Sequence, residues 1–117
     1  MIIKVTMNPE VKALWCSALR SDEYLQGTGQ LRVDNKFCCL GVLTDLGIKA
    51  GVLCETYWDN SHHPISLPDE IMKWAGLLLN SPTIEDKSTA TGTQHLSNLN
   101  DMSTSFKEIA NLIEEKL

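Results

Sequence analysis

The sequence has no apolar run approaching the ~20 residues that cross a bilayer, no cluster of basic residues, and no C-x-x-C or H-x-x-x-H pair. The first absence excludes a membrane-spanning helix. The second argues against duplex DNA: the ten Lys and Arg residues are scattered singly against a net charge of −5, whereas backbone phosphates call for a basic face. An acidic surface suits a basic protein partner, and the charge is too small to argue mimicry of nucleic acid. The third argues against zinc. The available donors are Cys38, Cys39, Cys54, His62 and His63, and adjacent ligands do not easily chelate one tetrahedral ion. No metal and no cofactor is expected. Internal repeats, low-complexity tracts and linkers are also missing. Met1-Ile2-Ile3-Lys4-Val5 is too short for a signal peptide and has no small-residue cleavage site, so the expected compartment is the cytoplasm.

What is present suits one domain over residues 1–117, with an expected radius of gyration of roughly 13 Å. Hydrophobic residues make up 43% of the chain, enough for a real core. The four cysteines, Cys16, Cys38, Cys39 and Cys54, are expected to be free. Such an apolar domain does not need staples, and a reducing compartment keeps thiols reduced. Three of them lie among hydrophobic residues, where a thiol behaves as a small apolar group.

Helix signals punctuate the chain. Asn8-Pro9-Glu10 is a cap, a first-turn proline and an acid at the positive end of the dipole. Val11, Leu14, Trp15 and Ala18 follow at helical spacing, which predicts a helix over about 9–22. Leu31 to Cys38 around Asp34-Asn35 reads as a β-hairpin. Cys39 to Gly47 is apolar on nearly all sides and reads as a buried helix ending at Gly47, with a buried strand as the competing reading. Ser66-Leu67-Pro68-Asp69-Glu70 starts a helix capped by Ser66 and stopped by Gly76. A small hairpin is expected around Thr83-Ile84 and Gly92-Thr93. A helical turn is expected at His95 to Asn100, and a helix over about 105–116 opens on the capping box of Ser105 and Glu108. Together these predict a compact α+β domain, several short helices packed on a small antiparallel sheet.

Three stretches carry a family likeness: Trp15-Cys16-Ser17-Ala18-Leu19-Arg20-Ser21, Phe37-Cys38-Cys39-Leu40-Gly41-Val42-Leu43, and Leu99-Asn100-Asp101 with Ser105-Phe106-Lys107-Glu108-Ile109-Ala110. They resemble a family of small bacteriophage proteins with a W-x-x-A-L-R-S-G-x-Y … C-C-L-G-V-L-C-D pattern. The sequence departs from it at Asp22, where Gly is common, and at Thr44, where a second Cys is common. The likeness implies a phage origin and an infected bacterial cytoplasm, and it carries over no catalytic residues. Small phage proteins of this kind often bind and neutralise a host factor, antiviral defence components included; a family or fold does not by itself set function.

Several side chains are candidates for chemistry. A thiol at Cys38 or Cys39 placed at a helix N-terminus would be acidified by the dipole, and His62, His63 or His95 could complete a Cys–His pair for hydrolase or thiol chemistry. The competing reading, that both are core residues beside Gly41, is preferred. The loop Tyr57 to Pro64 gathers aromatics, amides and two histidines, as binding loops do; equally, Tyr57 and Trp58 could cover the core. Gln26-Gly27-Thr28-Gly29-Gln30 lacks the G-x-x-x-x-G-K-[ST] spacing and reads as a plain turn, although the flanking Arg20 and Arg32 suggest an anion site. Asn98, Asn100 and Asp101 are read as caps of the last helix or of its preceding turn rather than ligand contacts.

The expected function is therefore a non-enzymatic binding module that sequesters or inhibits a host bacterial protein or a small nucleotide-like ligand. The ligand-binding residues would be Arg20, Arg32, Tyr57, Trp58 and His62. A sharper form is a sponge for a nucleotide immune signal, which requires Arg20 and Arg32 to converge with Tyr57 or Trp58. The rival is a Cys–His enzyme using Cys38 or Cys39 with His95. A homo-oligomer joined through an exposed apolar surface is compatible with both.

Overall fold

Asn8 opens the first helix as the sequence predicts. In the computed structural model, which describes residues 7–59, 64–86 and 88–117, its Oδ1 accepts the Glu10 amide at 3.0 Å. Helix α1 runs Pro9–Arg20, two residues short of the expected end. Ser21 turns its hydroxyl back onto the Ala18 carbonyl, and Asp22 takes a left-handed conformation (φ 64°), so the chain leaves the helix there. Strands β1 (Leu25–Gln26), β2 (Arg32–Val33) and β3 (Lys36–Phe37) make a sheet of order β1-β3-β2. The expected hairpin is β2–β3, antiparallel, with Arg32 opposite Phe37 and Asp34 left-handed in the turn. The pairing of β1 with β3 is parallel; the segment expected as a plain turn thus begins in a strand, and this sheet is mixed rather than purely antiparallel.

Helix α2 covers Cys39–Lys49, which decides between helix and strand. It passes straight through Gly47. That glycine is there for packing: a Cβ on it would collide with the Ile71 side chain, and the helix ends instead at Ala50, followed by Gly51. A single 3-10 turn follows at Tyr57–Asp59. Helix α3 is Asp69–Ala75, with Pro68 in the capping position and no side-chain cap, so Ser66 does not start it. Gly76, at φ 72°, closes α3 in the left-handed conformation that suits glycine. Strands β4 (Thr83–Glu85) and β5 (Thr93–His95) form the second expected hairpin. Helices α4 (Leu96–Asp101) and α5 (Phe106–Lys116) complete the chain, with Ser105 Oγ accepting the Glu108 amide at 3.2 Å.

These elements form an α+β globule with a radius of gyration of 13.7 Å. Helix α1 packs most extensively on α5 and then on α2. Trp15, Leu40, Leu43, Ile71, Leu96 and Ile109 are fully buried between them, each such side chain contributing about 1.5–3 kcal/mol. Two contacts lock the interior. Trp15 Nε1 donates to the Cys39 carbonyl at 2.9 Å, which satisfies the one polar atom of the indole. At Gly41 the helix backbone approaches Leu31, the residue before β2, so closely that any Cβ would fall inside the Leu31 carbonyl oxygen. No helix of the described residues is long and apolar enough to cross a membrane.

Candidate functional site

The doubled thiol lies at a helix N-terminus and is nonetheless buried. Cys38 is the residue that caps α2, with its Sγ accepting the Gly41 amide at 3.4 Å. Cys39, fully buried, aims its Sγ at the Leu96 carbonyl at 3.6 Å. Burial dominates the helix dipole here. It pushes the Cys38 thiol up despite the amides of Gly41 and Leu40, and pushes Cys39 well up, with repulsion from Cys38 adding to it. His95 is engaged elsewhere: its Nδ1 lies 3.0 Å from Ser81 Oγ. Among the described residues no hydrogen bond joins an imidazole to a cysteine sulfur.

The residue that organises this interior is Asn100, which is fully buried. Its Oδ1 accepts the Cys39 amide at 3.2 Å and Gln26 Nε2 at 3.0 Å. Its Nδ2 donates to the Gly27 carbonyl at 2.7 Å. One amide thus ties β1 and its following turn to the start of α2. Next to it, Asp101 Oδ1 accepts the Gly29 amide at 3.0 Å. The glycine segment's amide is therefore spent on a carboxylate, and a phosphate would meet negative charge there. The last helix is capped by Ser105 rather than by either residue; both bond instead to the turn after β1.

The second constellation surrounds Arg32. The β2–β3 register puts Arg32 beside Phe37, and its guanidinium carbon lies 5.1 Å from the Phe37 ring centre and 5.6 Å from that of Trp58, within cation–π range. Its Nε donates to the Asp34 carbonyl at 2.6 Å. Trp58 meets Phe37 and Tyr57 edge to face, with ring centres 6.0 and 5.0 Å apart. Its Nε1 donates to Asp45 Oδ1 at 3.1 Å, while Tyr24 donates to the other oxygen at 2.6 Å and Lys49 stands 3.4 Å away. Tyr24 is pushed up chiefly by burial and then by its bond to Asp45. Tyr57 is raised by burial and then by Glu70.

Of the predicted binding residues, Arg32, Tyr57 and Trp58 come together. Arg20 belongs to a different neighbourhood: its guanidinium donates to Asn111 at 2.8 Å and pairs with Glu114 on α5. His62 lies outside the described residues, as does His63. Among the described residues no three His, Cys, Asp or Glu side chains converge as a cation's ligand set would. Cys54, the exposed thiol, is drawn down by hydrogen bonds to Thr56. Sequence reasoning missed Asp45, Tyr24 and Phe37, which set the angle of Trp58. They are separated by 13 to 34 residues from Trp58, and no local spacing marks such a group.

Neither a curated protein nor a solved structure matches this chain. A family model spans residues 7–117, nearly all of it, and the chain belongs to the family described as Domain of unknown function (DUF8296).

Proposed function

We propose that the protein is a non-enzymatic binding module that sequesters or inhibits a host bacterial component, in keeping with its likeness to small phage proteins. The partner would be a protein engaged through Arg32, Trp58 and Tyr57. The observation that carries this reading is the guanidinium of Arg32 stacked against Phe37 and Trp58, with Arg32 and Trp58 half-exposed. Arg, Trp and Tyr are the residues on which interface energy concentrates. The cluster is also preorganised, because Asp45 and Tyr24 fix the indole before any partner arrives. Cys38 and Cys39, buried and raised, argue against the rival Cys–His reading built on them.

The test is capture from bacterial lysate by the wild type, Arg32→Ala and Trp58→Ala, with unfolding curves for each. The wild type is expected to retain a specific protein, and each variant to bind it about tenfold more weakly or worse while still unfolding cooperatively. Equal capture by all three chains would remove the reading. A nucleotide panel followed by thermal shift checks the sponge alternative: stabilisation by a nucleotide that Trp58→Ala abolishes would replace the protein partner with a small ligand.

A further inference from the structure

A cleft of about 330 Å³ opens on the side of the molecule where the turn after β1, the segment before α3, the segment before β4 and helix α4 converge. Its walls carry hydroxyl and amide groups from Ser66, Asn80, Ser81 and Ser97, and the single charged side chain among its described lining residues is Asp101. Two of the hydroxyls, those of Ser81 and Ser97, are already ordered. Ser81 Oγ lies 3.0 Å from His95 Nδ1 and 3.4 Å from Ser97 Oγ. The carboxylate is ordered too, by the Gly29 amide on Oδ1, and the helix carrying it is anchored by buried Asn100 one residue earlier.

The chemistry of this wall selects its ligand. A volume near the lower end of the ~300–1,000 Å³ range of ligand pockets suits a small molecule rather than a dinucleotide. No basic group stands among the described lining residues, so an anion would face Asp101 without compensation. No aromatic ring stands among the described lining residues either, so a base finds no ring there to stack on. Carboxylate, hydroxyl and amide oxygens are acceptors, and N–H donors on a cation make the strongest bonds to them. A chain of net charge −5 also attracts cations at long range. We propose that this cleft binds a small organic cation, an amine or guanidine, whose N–H groups bond to Asp101 and to the serine and asparagine oxygens. It is a site apart from the Arg32–Trp58 surface and does not depend on the partner proposed there.

The experiment is an amide-resolved NMR titration of the full chain with L-argininamide, with inorganic phosphate and glycerol as anionic and neutral probes. Saturable shifts are expected at Gly29, Ser81, Ser97 and Asp101 with L-argininamide alone, with a dissociation constant of about 1 mM or tighter. Asp101→Asn is expected to weaken binding about tenfold. Because that carboxylate also holds Gly29, a second variant, Ser97→Leu, fills the cleft while leaving Asp101 in place, and is expected to abolish the shifts. Three results would each overturn the proposal: no saturation by L-argininamide at about 10 mM, equal shifts from phosphate or glycerol, or wild-type binding by both variants.

Discussion

Asn100 and Asp45 each gather three partners, yet one closes the molecule and the other dresses its surface. Asn100 is neutral, fully buried and both donor and acceptor, so it can satisfy Gln26, Gly27 and Cys39 without placing a charge in the interior. Asp45 is an acceptor only, sits with 15% of its side chain exposed and keeps Lys49 at its side. It holds Tyr24 and Trp58 by their polar tips, with both rings packed edge to face on Phe37 and partly exposed. The lesson is that burial cost sorts the two roles: an amide can be locked inside once its bonds are complete, whereas a carboxylate with a lysine beside it is retained at the rim.

That contrast can be broken from the inside first. Asn100→Ala leaves the Cys39 amide, the Gly27 carbonyl and the Gln26 amide short of a partner at once, and is expected to cost about 4 kcal/mol in chemical denaturation, a large share of the ~5–15 kcal/mol of a small domain. Gly41→Ala drives a methyl group into the Leu31 carbonyl; the strand must shift, and a loss of about 3 kcal/mol is expected in the same measurement. Asp45→Asn should cost less, about 1 kcal/mol, since its partners reach water. Its signature should be weakened partner capture with the core intact. If Asp45→Asn proved as destabilising as Asn100→Ala, the distinction between the two hubs would fail.

The thiols sharpen the same contrast through pH. Burial raises Cys38 and Cys39 above the ordinary value of 9.0 in the folded chain. Below that value both states are protonated and the stabilisation is fully present. As the pH climbs past it, the unfolded chain releases these protons first, so stability falls with rising pH. Urea midpoints at about pH 7 and about pH 10 are expected to show the drop, and Cys39→Ala to flatten it. Cys54, exposed and drawn down by Thr56, should alkylate first in a mass-resolved iodoacetamide time course, with Cys38 and Cys39 silent until denaturant is added. The smallest effect is expected at Arg20→Ala. Its pair with Glu114 is 39% and 62% exposed, so the loss should stay below about 1 kcal/mol and leave binding untouched.

Local signals were legible wherever a residue acts on its near neighbours. Asn8 and Ser105 cap the helices they precede, Asp34-Asn35 turns its hairpin, and the stripe Phe106, Ile109 and Ile113 is core. Reading failed where a residue answers to something distant. Gly47 is shaped by Ile71 rather than by a helix end, and Ser66 lines a cleft instead of capping α3. The candidate site divides in the same way. Arg32, Tyr57 and Trp58 announced themselves by type, but their assembly depends on Asp45 and Phe37, and the separation of Arg20 from them depends on α1 packing against α5. Such arrangements are set by the tertiary fold, which spacing along the chain does not encode.

Trp15 and Trp58 occupy opposite solvent environments, the first without any exposure and bonded to the Cys39 carbonyl, the second at the rim. Their emission must differ accordingly. A chain retaining Trp15 alone would fluoresce at short wavelength and resist aqueous quenchers until the interior opens, while one retaining Trp58 alone would respond to whatever settles over Arg32. Folding and recognition in this small domain can therefore be followed on separate optical channels, with no added label.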